Sequence, residues 1–315
     1  MISIDRVNNT SSSELNGLML GLINSSIIKE STILEESVTN FVKEQTDYIF
    51  EAKVIGNDDK KKKEMSEKQK NIFDKIGQAA IEISKKIAEF IQKVINTIKD
   101  LGFRLKSDEK KLEAIKKRNP KYADAVICKL TDSDLSISDL KGLSDVDKLY
   151  KEIIDLSKKK EVDASTLRGK ATLLKEKLKN ADKSAAVTTA KAASAIIGVA
   201  TGLMVIRKHK IDIEKSNADL QKKQKESYDE FLKAYNQLKE FDKSGEYTDS
   251  DILSKAQIIQ NVHSMYQGKI SSLVSANEKS FNKVSGALHT FCKKFDNAGK
   301  LISSLDKDLE FKGSK

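Results

Sequence analysis

The stretch Ala185–Ile206, AAVTTAKAASAIIGVATGLMVI, is the longest apolar run in a lysine-rich chain, and it decides how we interpret the fold. One charge, Lys191, interrupts the run, and Arg207-Lys208-His209-Lys210 follows it. On a helix, residues four apart share a face, and GxxxG spacing lets two helix backbones approach closely. Small residues recur at this spacing, at Ala186, Ala190, Ser194, Gly198 and Gly202. The run predicts a central apolar helix, or a hairpin, at 185–206.

Two environments suit such a segment. Its charge-free part, residues 192–206, has 15 residues, fewer than the roughly 20 that a membrane-spanning helix needs. Burial in a bundle or an oligomer is therefore one alternative. Conditional entry into a membrane is the other, since Lys191 could extend to the interface and the basic cluster could contact anionic headgroups. The predicted membrane or helix-packing residues are Ala186, Ala190, Ser194, Gly198, Gly202, Ile196, Ile197, Leu203 and Met204, and the predicted anionic-surface contacts are Arg207, Lys208 and Lys210.

The composition is typical of long helices. Of 315 residues, 33% are charged and 6% aromatic, with one proline and no tryptophan, so one or two domains with small cores are expected. The net charge of +10 favours anionic partners, although lysines mixed with acids also occur on ordinary solvated faces. Arginine is scarce and no aromatic pattern accompanies the basic runs, which argues against sequence-specific reading of nucleic acid.

Apolar residues recur every three or four positions through most of the chain, which predicts an all-α fold: an elongated bundle of long amphipathic helices. We divide the chain into a flexible N-terminus (1–13), N-terminal helices (14–105), a basic linker with short capped helices (106–162) and a long-helix bundle (163–315). Gly102 is the predicted end of the clearest helix. Residues 163–243 could form one continuous helix or a hairpin.

No residues suggest catalysis. The sequence lacks a P-loop, GxGxxG, GxSxG and HExxH, and Cys128 and Cys292 have no zinc-ligand spacing. His209, His263 and His289 are interpreted as ordinary helix residues. We therefore expect no enzyme, no cofactor, no metal and no small-molecule substrate. The N-terminal sequence also lacks the basic and apolar regions of a secretory signal.

Residues 14–101 are similar in style to helical structural or internal virion proteins of large tailed bacteriophages. An acid-rich amphipathic start is followed by a lysine turn and the helix IFDKIGQAAIEISKKIAEFIQKVINTIKDL. Ile28-Lys29-Glu30, Ile33-Leu34-Glu35 and Ile49-Phe50-Glu51 match the prohead-protease pattern of such proteins. The resemblance implies location in the virion, other virion proteins as partners and non-specific contact with DNA phosphates.

The overall plan also resembles the α-helical pore-forming toxins of the cytolysin A type, in which long helices carry one apolar tongue past the middle of the chain. Here the tongue corresponds to 185–206. This resemblance implies a soluble protein that oligomerises and inserts the tongue, secreted without a classical signal. A third alternative is a helical scaffold or adaptor in the host cytoplasm. A homo-oligomer is expected in the first two cases.

Overall fold

The computed structural model describes the backbone of residues 59–118, 126–129, 136–181, 186–187, 196–244 and 249–312. Five α-helices account for most of it: α1 (Asp59–Arg118), α2 (Ser144–Ser157), α3 (Ala164–Ala181), α4 (Val199–Ser244) and α5 (Asp249–Lys312). The all-α fold class is therefore confirmed. The predicted flexible N-terminus, the helix from Glu14 and the three prohead-protease motifs lie outside the described residues.

The helices form where the sequence repeats its apolar residues at helical spacing. In α1, Ile76, Ala80, Ile87, Ile91 and Val94 are all buried, whereas the lysines between them are exposed. Steps of three, four and seven residues place such side chains on one face, and their burial supplies the main favourable free energy of folding. The amphipathic pattern of this helix therefore determines which face packs inward.

Gly102 does not end α1, as the sequence had suggested, because the helix continues to Arg118. A β-carbon at Gly102 would lie 2.9 Å from Cε of Lys210 on α4. The glycine thus leaves room for a side chain of a neighbouring helix instead of providing a left-handed cap. The first part of the predicted basic linker, residues 106–118, therefore belongs to α1.

The described part of the chain also contains four short strands: β1 (Val126–Lys129), β2 (Ile137–Ser138), β3 (Ala186–Val187) and β4 (Ile196–Gly198). They form two separate antiparallel pairs, β1 with β4 and β2 with β3. The partners are far apart in sequence, so neither pair is a local hairpin. A 3₁₀ turn, Leu140–Leu143, leads from β2 to α2.

The prediction of one apolar helix at 185–206 is wrong. Both β3 and β4 lie within this range, and α4 begins only at Val199. The β-branched Val187, Ile196 and Ile197 suit strands. Their backbone partners are in β1 and β2, which are distant in sequence and which helical periodicity does not indicate. Residues 163–243 are accordingly two helices, α3 and α4, with β3 and β4 between them.

The described chain divides into two compact units made of non-consecutive segments. Unit 1 contains 59–90, 149–175 and 226–272, and unit 2 contains 91–148, 176–225 and 273–312. The consecutive domains that we inferred from the sequence stay a prediction. Each unit has its own core, because buried apolar residues of α1, α4 and α5 occur in both.

Aromatic rings organise the core of unit 1. Phe73 and Tyr235 stack with ring centroids 4.8 Å apart, and the Tyr235 hydroxyl donates a hydrogen bond to the Phe73 carbonyl at 2.6 Å. Tyr150 and Tyr266 stack at 4.4 Å. The ring of Tyr235 lies directly over Gly77, where an added β-carbon would be 2.4 Å from Cζ of the tyrosine. Only glycine therefore permits this close approach of α1 and α4.

We expect Gly77→Ala to lower the free energy of unfolding by about 1–3 kcal/mol, because the new methyl group must displace a stacked and hydrogen-bonded ring. Urea-induced unfolding followed by circular dichroism measures the change. Gly169→Ala is the matched control: this exposed helical glycine has nothing within 4 Å of the added β-carbon. Alanine there should raise stability by about 0.5–1 kcal/mol. Equal effects at the two positions would contradict the packing argument.

Candidate functional site

The predicted functional segment lies in unit 2, in short pieces of backbone rather than in a continuous helix. Ala186 belongs to β3, Ile196, Ile197 and Gly198 form β4, and Gly202, Leu203 and Met204 are in the first turns of α4. Ala190 and Ser194 lie outside the described residues. The small residues therefore do not form the single helical strip that their spacing predicted.

A buried amide holds the strand that pairs with β3. Asn277 on α5 accepts a hydrogen bond from the Ser138 backbone nitrogen at 2.7 Å and donates to the Ser138 carbonyl at 2.9 Å. The hydroxyl of Ser216 on α4 donates to the same carbonyl at 2.6 Å. Ser138 in turn is opposite Ala186 in the β2–β3 pair. The start of the apolar segment is thus fixed through a buried polar contact.

The other end of the segment is held by β1. Lys129 is opposite Ile196, and Cys128 is opposite Ile197, but the register shifts between Val126 and Cys128. A shift of this kind leaves part of the ladder unpaired. Immediately afterwards α4 begins, with Val205 and Ile206 buried and Met204 exposed. The apolar segment therefore enters α4 with some of its apolar side chains covered and at least one in solvent.

The four residues of the basic cluster do not share one environment. Arg207 forms a two-pronged ion pair with Glu109 of α1, with N–O distances of 2.9 and 3.2 Å, and these hydrogen bonds raise the arginine pKa. Lys210 lies 3.5 Å from Glu214, while Lys208 is exposed. Lys208 is therefore the member of the predicted anionic-contact set with the most open position.

His209 points into unit 2 rather than toward solvent. Its Nε2 lies 3.0 Å from the Ser280 hydroxyl on α5, while Nδ1 is buried with no hydrogen-bond partner among the described residues. Burial lowers the pKa of this histidine to about 4, and the nearby Asp212 carboxylate only partly offsets that effect. The ring is consequently neutral near pH 7 and belongs to the core.

A second buried histidine, His263, is the centre of a hydrogen-bond network in unit 1. Tyr150 donates its hydroxyl proton to the Ser227 carbonyl at 2.8 Å, so the same oxygen can only accept from Nδ1–H of His263 at 3.0 Å. Nε2 then accepts from the Ser84 hydroxyl at 2.8 Å. Burial lowers the pKa of His263 to about 3. The network stabilises a neutral tautomer, which suits a structural role.

Several other titratable side chains of unit 2 lie in or beside its interior. His289 Nδ1 lies 3.1 Å from Oδ2 of the buried Asp108, and the buried thiol of Cys292 donates to the Asp108 carbonyl at 3.6 Å. Burial raises the pKa of Glu278 to about 7. Within the described ranges, no group of three or more histidine, cysteine, aspartate or glutamate residues could hold a metal ion.

Sequence reasoning missed the polar residues that determine these contacts. Ser84, Asn277 and Glu278 lie among apolar residues on helices whose stripes had been recognised. A signal was present, since serine, asparagine and glutamine occur repeatedly within the apolar face of α5. Buried polar groups require hydrogen-bond partners, so such interruptions indicate a polar interior, but they do not reveal which residue is the partner.

No protein-family model matches the chain, and neither a curated protein nor a solved structure matches it. Among the described residues, no helix combines the length and the apolar character needed to cross a membrane. The function therefore has to be argued from the chain's own geometry.

The two buried histidines predict a loss of stability in acid. Their folded pKa values, about 4 for His209 and about 3 for His263, lie below the ordinary 6.5. The unfolded chain therefore binds more protons below pH 6.5, and each histidine should lower the free energy of unfolding by about 1.4 kcal/mol per pH unit down to its folded pKa. Urea unfolding between pH 7 and pH 4.5 measures this dependence.

His209→Gln and His263→Gln should each remove part of the acid slope, and the double variant should remove more. The raised pKa of Glu278 acts in the opposite sense, because its contribution is present below pH 4.5 and lost as the pH rises through about 7. That contribution cancels when variant and wild type are compared at the same pH. An unchanged slope in the double variant would refute the assignment of neutral buried rings.

Proposed function

We propose that this protein is a non-enzymatic helical protein that inserts residues 185–206 into a membrane when this segment leaves its place in unit 2. One observation supports the proposal above all others: the longest apolar run of the chain is divided between two short strands and the start of α4. The described strands of this run contribute two and three residues to their ladders, whereas a helix in a bundle core would be packed along its whole length.

The ladders that hold the described strands are short, and the segment ends in Val205 and Ile206, which are buried in α4. β3 pairs two residues with β2, and β4 pairs three with β1. A backbone hydrogen bond contributes only about 1 kcal/mol net, and an isolated two-stranded pair is marginal in water. Breaking the ladder hydrogen bonds therefore costs a few kcal/mol of free energy. Loss of the side-chain contacts of the segment adds to that cost. Transfer of its apolar side chains into lipid offsets that loss.

The length of the segment favours several copies acting together. Residues 192–206, if they became helical, would extend about 22 Å at 1.5 Å per residue, less than the roughly 30 Å of a bilayer core. Gly198 and Gly202 would then be one helical turn apart, and this spacing favours close approach of two helices in lipid. A homo-oligomer is accordingly part of the proposal.

We place this activity first in a soluble pore-forming toxin component, following the resemblance to the cytolysin A type. In unit 2, α1 and α4 run antiparallel, since Gly102 is adjacent to Lys210 and Glu109 to Arg207. An apolar segment beside long helices is the feature of this chain on which the proposed likeness to those toxins rests. Secretion without a classical signal belongs to this proposal.

A disulfide cross-link between β1 and β4 tests the insertion proposal. Cys128 is opposite Ile197, and the Cβ atoms of residues paired in this way are close to the separation that a disulfide spans. Oxidised Ile197→Cys should therefore release no dye from vesicles, and reduction should restore release. The measurement is leakage of carboxyfluorescein from phosphatidylcholine–phosphatidylglycerol vesicles, with the cross-link verified by mass spectrometry.

Cys128→Ser combined with Ile197→Cys is the matched control, because it keeps the substitution in β4 and removes the partner thiol. It should release dye in both redox states. Wild-type protein treated with the same oxidant controls for Cys292, a buried free thiol. Leakage by a fully cross-linked protein would end the insertion proposal.

A tailed-phage virion protein is the second proposed setting, with the same segment acting at the host membrane after ejection. An exposed lysine stripe on α1, comprising Lys99, Lys106, Lys110 and Lys117, favours contact with DNA phosphates. Mass spectrometry of purified particles should recover the chain, and filter binding to DNA should weaken steeply between 50 and 200 mM salt. Absence from particles would exclude this setting and leave the toxin component and the cytoplasmic scaffold.

A further inference from the structure

Among the described residues few large apolar side chains are exposed to solvent, and most of these lie in unit 2. The described residues include four exposed large hydrophobics: Phe103, Leu173, Met204 and Ile211. Three of these lie in unit 2 on α1 and α4: Phe103 is 69% exposed, Met204 67% and Ile211 62%. Single exposed apolar residues are common, but a group on neighbouring helices marks an interaction surface.

The two helices are in contact where these residues occur. The Arg207–Glu109 ion pair and the approach of Lys210 to Gly102 join α4 to α1 over this short region. In both helices the exposed apolar residues are on the side away from the core, because Leu101 and Leu105 beside Phe103 are buried, as are Val205 and Ile206 beside Met204.

Lysines follow the same outward stripes. Steps of three, four and seven residues keep side chains on one helical face. The stripe on α1 consists of Lys99, Phe103, Lys106, Lys110, Glu113 and Lys117, and the stripe on α4 consists of Met204, Lys208, Ile211, Lys215, Asp219 and Lys222, all exposed. The ammonium of Lys106 lies 5.5 Å from the centre of the Phe103 ring. Each stripe therefore combines exposed apolar side chains with more lysines than acids.

From this arrangement we infer that the two stripes, here called the docking face, form the surface with which the protein first binds an anionic lipid bilayer. Apolar side chains separated by lysines suit the interface of a membrane, where the apolar groups enter the acyl boundary and the ammonium groups stay among the phosphates. A protein partner would instead favour a continuous apolar centre with few lysines.

The position of the docking face in the sequence also favours a lipid bilayer as its ligand. The docking face begins at Met204, within the apolar run 185–206, so a bilayer bound there is next to the segment proposed to insert. The inference rests in this respect on the proposed function. It adds that the lipid is anionic. It also adds that binding through α1 and α4 precedes the release of β3 and β4.

Vesicle flotation tests the docking face. The full-length protein should float with phosphatidylcholine–phosphatidylglycerol vesicles and at least about tenfold less with phosphatidylcholine alone, because the lysines require anionic headgroups. The triple variant Phe103→Ser/Met204→Ser/Ile211→Ser should lose about tenfold or more of the binding to anionic vesicles. Lys106→Gln/Lys208→Gln should lose the preference for anionic lipid. All substituted side chains are exposed, so the thermal unfolding midpoint should stay within about 2 °C of wild type.

Leu173→Ser is the matched control, since Leu173 is 44% exposed on α3 in unit 1 and lies outside the docking face. It should bind vesicles as wild type does. Equal flotation of wild type and triple variant would overturn the inference, as would equal binding to both lipid mixtures. If wild type does not float, and sedimentation velocity shows a dimer that the triple variant converts to a monomer, the face is a subunit interface and the inference is wrong.

The insertion proposal and the docking-face inference can be refuted independently of each other. Oxidised Ile197→Cys should still float with anionic vesicles while releasing no dye, because the cross-link acts after docking. Dye release by this cross-linked protein would remove the insertion proposal and leave the docking face to be judged by flotation. Normal flotation and normal release by the triple variant would remove the docking face and leave insertion intact.

Discussion

The structure depends on satisfying the polar side chains of α5 in the interior. This helix buries serine, glutamine and histidine residues in unit 1, and serine and asparagine residues in unit 2, together with its apolar ones. A buried polar group without a partner destabilises the fold by about 1–3 kcal/mol, so each constrains the residues around it. His263 fixes Ser84 and Tyr150 in unit 1, and Asn277 fixes Ser138 in unit 2. Polar pairing thereby selects one arrangement among many that hydrophobic burial alone would permit.

The same constraint explains the placement of the apolar segment. Asn277 and Ser216 hold β2, and β2 in turn pairs with β3, so the segment is attached to a polar interior through a few hydrogen bonds. Unit 2 also contains buried polar atoms that lack partners within the described residues, including His209 Nδ1 and Glu278 Oε1. Unit 1 contains such atoms as well, including Gln260 Oε1, so they lower the stability of both units and do not distinguish unit 2.

The helical parts of the fold could be predicted because amphipathic periodicity is a local property. The stripe of Ile76, Ile87 and Val94 identified α1 and its buried face correctly. Errors arose where a residue's role depended on a neighbour. Gly102 was interpreted as a helix end, but its partner Lys210 shows that it permits a close contact. His209 is an ordinary helix residue in the sequence interpretation, but nothing in the sequence identifies Ser280, against which it is buried.

The sequence by itself determined the long helices, the excess of positive charge and the existence of one apolar run, because these follow from composition and from spacing over a few turns. Only the tertiary structure decided that β3 and β4 precede α4 within this run, and that α4 packs against α1 near Gly102. Strand pairing and polar contacts join residues separated by some 60 to 180 positions, as in Cys128 with Ile197 and Ser84 with His263. Local periodicity contains no information about such distant partners, so folding of the whole chain was required to specify them.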